Sequence, residues 1–304
     1  MKTFYTKAYA KVNLALDVLR RREDGYHDVR MIMQNLDIYD ELELTVEEGW
    51  TRLDDSMLSE SEKSYEIVLT TNREDIPTDN RNLVYKAIEM MFGRFGISAS
   101  IKVNLIKNIP VEAGMAGGST DCAAALRAVN ELFDLRLSLQ ELMDIGVKLG
   151  ADVPYCVMAK TALSEGIGEV LTPIDTLDDC IVLVVKPPVN VSTKMVYTNL
   201  KANELEHHPD IDGMITALKN SDLLGVADRM ENVLETVTTK LYPEIEVIKS
   251  AMRDNGALNS IMSGSGPTVF GLFDSIKLAN KAAEYILKKG YSKEIFISRP
   301  VSGI

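Results

Sequence analysis

The segment Pro110 to Asp121 reads PVEAGMAGGSTD and joins an alternating apolar stretch to a helical one. Gly114, Gly117 and Gly118 let the backbone approach a ligand closely and accept positive φ. The start of the following helix offers unpaired N–H groups and partial positive charge. Ser119 and Thr120 add hydroxyls, so the segment suits a phosphate. It is not a Walker loop, because no Gly-Lys-Ser/Thr follows, and its glycines miss the G-x-G-x-x-G spacing of a dinucleotide oxidoreductase. Taken alone, tight packing of a helix on a strand would call for the same small residues.

Further segments could do chemistry. In Gly150 to Pro154, GADVP, a turn aims the carboxylate of Asp152, and Pro154 is expected to hold Val153 extended. Asp152 would equally serve as a helix cap there. In Ser263 to Pro267, SGSGP, small residues at a strand start admit another backbone or a ligand; a bulge or hairpin turn fits too. Gly25-Tyr26-His27 sets an aromatic beside an imidazole in a turn, a pair able to stack on and hydrogen-bond a heteroaromatic ring. His207-His208 reads as a solvated loop, since no Cys or His cluster with ligand spacing accompanies it.

Elements must position these groups. Ala8, Ala10, Val12, Leu14, Leu16 and Val18 alternate with polar residues, so a strand presents Lys11 and Asn13 together on its other face. Leu42, Leu44 and Val46 mark a second strand, Ile67 to Thr71 a third, and Ile101, Val103 and Leu105 a fourth. Helices are expected over Asn82 to Phe95, over Ser119 to Phe133, and from a capping box at Ser138 and Glu141 to a stop at Gly150. Glu47 to Ser64 reads as an exposed acidic loop or hairpin tip. Beyond it, Ile181 to Val185, Thr268 to Phe273 and Glu294 to Arg299 read as strands. Pro243 to Gly256 and Ser275 to Gly290 bracket helices. Strands and helices mix without strict alternation, which is an α+β class. A boundary near Lys160 divides 1–160 from 161–304.

Composition narrows the partners. The 304 residues carry 33 − 45 = −12 charges, with 46% apolar residues, a globular balance. So acidic a chain disfavours nucleic acid and anionic lipid. No run reaches the roughly 18 apolar residues of a membrane span, and Met1 to Tyr9 lacks a signal-peptide core. Cys122, Cys156 and Cys180 are odd in number and scattered, as expected for reduced thiols in a cytoplasmic protein.

In order along the chain, AKVNLAL, DGYH, a loop ending in GGST, GADVP and SGSGPTVF resemble the GHMP small-molecule kinases over nearly the whole length. The resemblance implies a two-domain α+β fold, an ATP-binding N-terminal domain (1–160) and a C-terminal domain (161–304), with the active site in the cleft between domains. It implies ATP-dependent phosphorylation of an alcohol, with Mg²⁺. ATP would lie along Pro110, Val111, Glu112, Ala113, Gly114, Met115, Ala116, Gly117, Gly118, Ser119 and Thr120, with Asn82 and Lys107 nearby and Ser119 on the metal. Lys11 and Asp152 would be the catalytic pair. AKVNL and DGYH point to members acting on a cytidine diphosphate compound rather than galactose, homoserine or mevalonate. The cytidine end would meet Asn13, Tyr26, His27, Thr193 and Tyr197. Another GHMP kinase or a non-catalytic ATP-binding regulator are the alternatives, and the protein would be a monomer or homodimer. Glu112, Ala113 and Ala116 stand where the family can have glycine. Alanine suits such a position at negative φ, and Glu112 is expected to face solvent.

Overall fold

The computed structural model describes residues 1–52, 65–177 and 179–303. In chain order its strands are β1 (Lys2–Arg21), β2 (His27–Val46), β3 (Thr51–Arg52), β4 (Glu66–Thr71), β5 (Ile97–Ser98), β6 (Ser100–Ile106), β7 (Ala162–Gly166), β8 (Val170–Pro173), β9 (Ile181–Lys186), β10 (Glu231–Asn232), β11 (Asn259–Met262), β12 (Val269–Phe273), β13 (Glu294–Ser298) and β14 (Pro300–Val301). Its helices are α1 (Leu83–Phe95), α2 (Gly117–Leu132), α3 (Leu139–Gly146), α4 (Val153–Met158), α5 (Thr193–Asn199), α6 (Ile211–Lys219), α7 (Leu223–Asp228), α8 (Glu235–Leu241), α9 (Glu244–Asp254) and α10 (Ile276–Lys289).

The chain forms two compact units that interleave along the sequence. One comprises 1–9, 39–109 and 117–158; the other comprises 10–38, 110–116 and 159–304. No single cut in the sequence separates them, because β1 and β2 each give residues to both.

In the first unit, the end of β2 pairs antiparallel with β6, and β4 runs parallel to β6 on its other side. Alternation buries Ile101, Val103 and Leu105 of β6 with Leu42, Leu44 and Val46 of β2. Helices α1 to α4 pack on one another. Asn82 caps α1, its side chain accepting from Val84 N at 2.9 Å, and Gly96 ends it in the left-handed conformation. Helix α2 is rich in alanine and buried on most sides. The capping box of Ser138 and Glu141 opens α3. That helix ends at Gly146 rather than Gly150. Val153 packs against Gly146 so closely that a Cβ there would overlap it, and the chain turns before that contact. Val153 is helical, not extended: it is the first residue of α4, and Pro154 sits in the first turn, where its missing N–H costs nothing.

In the second unit, β10 pairs with β1 at Ala15 and Leu16, and β7 and β14 pair with the first part of β2. A separate antiparallel sheet has the order β11-β12-β9-β13, and α9 and α10 pack against it. All six residues of β9 are buried, as a covered central strand requires. Among α5 to α8, α6 buries Ile211, Met214, Ala217 and Leu218 at helical spacing behind an Asp210 cap, while α5, α7 and α8 are only six or seven residues long. Of the acidic stretch expected as a loop or hairpin tip, 47–52 closes with β3 on β5, and the remainder lies outside the described residues.

Candidate active site

Helix α2 starts at Gly117 and carries Ser119 and Thr120 in its first turn. Its first N–H groups have no intrahelical acceptors, so this end attracts anions. A Cβ on Gly118 would touch the Leu83 side chain at 3.7 Å, which sets the start of α1 beside the start of α2. Asn82 therefore stands close by, though its side chain is engaged in capping and in donating to Pro77 O at 2.8 Å. Ser119 also meets the turn that carries Asp152: a Cβ on Gly150 would lie 4.0 Å from Ser119 Oγ. Asp152 precedes α4, with its carbonyl accepting from Cys156 N at 3.1 Å. The phosphate-type helix start and the candidate base thus share one neighbourhood within the first unit.

Lys107 is almost fully buried and bonds two carboxylates, Asp40 and Asp121, the latter at 2.6 Å. Burial alone would lower its ammonium; the charges of Asp121 and Asp40 outweigh that and raise it, so it stays a cation. Burial drives Asp121 well above the usual carboxylate range, against the pull of Lys107. Asp40 and Asp121 were absent from the sequence expectations. Asp121 directly follows the GGST stretch, a signal that was available. Asp40 lies in an ordinary strand, where nothing marked it. Arg127 was missed as well: from α2 it donates to Cys156 O at 2.8 Å, holding the far end of the helix that Asp152 begins.

The lead-in Pro110 to Ala116 belongs to the second unit. Met115 O accepts from Lys11 N at 3.2 Å, and Ala113 and Met115 are buried. Pro110 is buried and Val111 half-buried. Glu112 faces solvent as expected. The condition for alanine is met at Ala113 and fails at Ala116 (58°); Glu112 (51°) also lies in the left-handed region. Only glycine adopts it without cost, so these two sites keep a strain that glycine would relieve. At Gly114 (φ 71°) the restriction is also spatial, since a Cβ would overlap the carbonyl oxygen of Ser263. Ser263 Oγ donates to Gly114 O at 3.0 Å. The SGSGP segment is therefore both a hairpin connection, from β11 to β12, and a close backbone contact with the glycine-rich turn.

Lys11 and Asn13 do share a face of β1: Lys11 Nζ donates to Asn13 Oδ1 at 2.9 Å. Both are buried, so this face is covered too. Gly264 stands near Asn13, and Asn232 holds it by donating to Gly264 O and Met262 O, each at 2.8 Å. Nothing in its local sequence singled out Asn232. His27 is buried, and its ring centre lies 5.1 Å from that of Tyr197. Its Nε2 is buried without a hydrogen-bond partner. Burial, with the charge of Arg21, lowers its pKa, which favours the neutral ring. Tyr26 is exposed. Thr193 opens α5 and accepts from Ser265 Oγ at 3.1 Å; Tyr197 follows one turn later. The histidine pair is not merely solvated: His207 bonds Glu231, and His208 bonds the buried Asp17, each at 2.9 Å.

Among the described residues no three His, Cys, Asp or Glu side chains form a metal-binding group. Mg²⁺ on a nucleotide needs few protein ligands, because phosphates and waters fill most positions. The Ser119 hydroxyl at the helix start fits that requirement. No helix of the described residues is long and apolar enough to cross a membrane.

A family model described as GHMP kinases N terminal domain matches residues 82–160, and one described as GHMP kinases C terminal matches 214–293. A protein of Lachnoclostridium phytofermentans named 4-diphosphocytidyl-2-C-methyl-D-erythritol kinase is 51% identical over 96% of each chain. One of the same name from Clostridium perfringens is 46% identical over 97% of this chain and 98% of its own. A crystal structure of 4-(cytidine 5'-diphospho)-2C-methyl-D-erythritol kinase superposes with a TM-score of 0.79 at 27% identity, covering 99% of this chain and 100% of that one. A homoserine kinase from Cytophaga hutchinsonii, 20% identical over 98% and 95% of the two chains, shares the fold with a TM-score of 0.72.

Proposed function

The chain belongs to the GHMP kinase family, and on that premise we propose that it transfers the γ-phosphoryl group of ATP to the 2-hydroxyl of 4-diphosphocytidyl-2-C-methyl-D-erythritol, giving the 2-phosphate and ADP in non-mevalonate isoprenoid synthesis. The observation that carries phosphoryl transfer is the start of α2, with Ser119 and Thr120 in its first turn beside the turn of Asp152. The relatives' substrate supplies the acceptor. The orphaned, buried Nε2 of His27 supports a heteroaromatic group, since a base edge would satisfy it.

In this reading ATP runs along the turn from Pro110 to Ala116 and its phosphates meet the N–H groups from Gly117 to Thr120. Lys107 and Asn82 flank them. Asp152 takes the proton of the attacking hydroxyl, the new bond forms between that oxygen and the γ-phosphorus, and the bond to the β-phosphate oxygen breaks. Lys11 stabilises charge on the transferring group. Ser119 is the protein ligand for Mg²⁺, which would neutralise phosphate charge when bound. Asn13, His27, Thr193 and Tyr197 hold the cytidine end, with Tyr26 and Tyr197 stacking on the ring. A division near residue 160 is our reading of the two family modules along the sequence, supported by the N-terminal family match ending at 160, while the compact units interleave across it. A cytoplasmic monomer or homodimer is the expected form; three buried free cysteines agree with a reducing compartment.

The test is ADP release with ATP, Mg²⁺ and 4-diphosphocytidyl-2-C-methyl-D-erythritol, with mevalonate and homoserine as controls. Turnover with the cytidyl compound alone is expected. Turnover only with a control would overturn the cytidine pocket and leave the kinase reading. ATP binding with no turnover on any of the three would favour a regulator.

A further inference from the structure

Asp40 sits on β2, outside every segment assigned above to nucleotide or substrate. It is fully buried, and both its oxygens are used. Oδ1 accepts from the backbone N–H groups of Asn108 at 2.5 Å and Ile109 at 2.8 Å. Oδ2 accepts from Lys107 Nζ. One carboxylate therefore fixes three consecutive residues at the end of β6, immediately before the glycine-rich turn. Asn72 adds a brace, accepting from Lys107 N at 2.8 Å.

The other end of this linkage lies on the phosphate-type helix start. Lys107 Nζ donates to Asp121 Oδ2 in the first turns of α2. A Cβ on Gly117 would lie 3.3 Å from Lys107 Nζ and 3.3 Å from Ile109 Cγ2. The side chains that Asp40 steadies thus press on the first residue of the helix. Two carboxylates for one ammonium is more negative charge than the fold requires. Burying such a group away from water costs free energy that only well-placed partners offset. A cost of that kind is sensible where a helix end must stay aimed at a polyanion.

We propose that Asp40 is a positioning residue for ATP: through Lys107 and Asp121 it holds the start of α2 in the orientation that receives the phosphates. This rests on the nucleotide reading above. Asp40 touches no substrate. It sets how well the binding geometry is pre-formed, so its loss should weaken ATP binding and leave the chemical step largely intact.

The test is steady-state kinetics and direct ATP binding for Asp40→Asn, with thermal melting alongside. Asparagine is isosteric and keeps an acceptor for Asn108 and Ile109, but presents an amide to Lys107. The expected result is a KM and Kd for ATP raised about tenfold, equivalent to ~1.4 kcal/mol. kcat at saturating ATP and KM for the cytidyl substrate should stay within about twofold. Should Asp40→Asn not melt cooperatively, Asp121→Asn carries the test, because it keeps an acceptor for Lys107; it should raise KM for ATP about threefold. Unchanged KM and Kd for ATP in the folded variant, with only a lowered melting temperature, would overturn the proposal. Gly118→Val, which places a branched side chain in the first turn of α2 where the phosphates are proposed to bind, separates the two readings. If it weakens ATP binding while Asp40→Asn does not, the nucleotide reading stands and Asp40 is purely structural. If neither moves ATP binding, both fall.

Discussion

Each compact unit anchors backbone with one lysine and two carboxylates, yet the two clusters differ in their access to water. In the first unit, Lys107 pairs with Asp40 and Asp121, and all three side chains are at most 4% exposed. In the second, Lys249 pairs with Glu235 and Glu246, and Glu246 is 48% exposed. The anchoring device is the same. Asp40 accepts backbone N–H groups ahead of the phosphate-type turn, and Glu235 accepts from Met262 N at 2.6 Å ahead of the SGSGP hairpin. In the vented cluster the excess negative charge reaches solvent. In the sealed one it cannot, so Asp121 is held well above the usual carboxylate range by burial. Water access, more than the residue types, decides how strongly such an anchor depends on its lysine.

The contrast is broken most directly by removing the two lysines. Lys107→Met should cost about 3–5 kcal/mol, because two carboxylates then face each other without water. Lys249→Met should cost less than Lys107→Met, because Glu246 can turn outward and only Glu235 loses its buried partner. Urea denaturation measures both, and equal losses would end the comparison.

Within the second unit the glycine-rich turn and the SGSGP hairpin touch directly. Gly114→Ala forces a side chain into positive φ and against the carbonyl of Ser263. It should cost about 2 kcal/mol, read as a lowered midpoint in the same denaturation. A neutral result would mean that the contact between the two turns is loose.

Titration sharpens the account of the vented cluster. Burial raises Glu235, against the pull of Lys249. A carboxyl whose folded value lies above its unfolded one binds more protons when folded. Its contribution is full at low pH and is lost as pH rises through the folded value. Burial would also raise Glu246, but Lys249 and Arg253 outweigh it and lower the group. Its contribution is lost as pH falls through its folded value. Glu235→Gln should therefore flatten the decline of melting temperature above the ordinary glutamate range, and Glu246→Gln should flatten the decline below it. Matching effects of both variants on one side of that range would contradict these assignments.

The smallest expected effect concerns strain. Ala116→Gly relieves a left-handed backbone worth about 1–2 kcal/mol and loses roughly 0.5–1 kcal/mol to the freer unfolded chain. The net gain should be about 0.5 kcal/mol, visible as a slightly higher melting temperature. Hairpin residues Gly264 and Gly266 already have positive φ with no side chain, so no such gain exists there.

Where periodicity or caps carry the information, the sequence reads well. β1, β6, α1, α9 and α10 follow their apolar spacing and their capping residues. The helices α5, α7 and α8 do not, because six or seven residues are too few to show a stripe; α6 does show one, with Ile211, Met214 and Leu218 behind an Asp210 cap, and was still passed over. The end of α3 was misplaced because the contact of Val153 on Gly146 is invisible along the chain. The places of Ser119 in the first turn of α2 and of Asp152 in the turn before α4 were legible from their motifs. Asp40, Asn232 and Arg127 were not, since each works through partners far away in sequence. The positive φ of Glu112 and Ala116 was hidden for a related reason: the turn's conformation is set by what it packs against.

We propose Asp152 as the group that accepts the proton of the attacking alcohol, with ATP binding resting on other residues. Steady-state ADP release by Asp152→Asn, with the cytidyl substrate and saturating ATP, tests it most directly. kcat should fall by about 10²–10⁴, the usual worth of a general base, while the Kd for ATP stays near that of the unmodified protein. Full turnover by Asp152→Asn would remove Asp152 as the base and contradict the account.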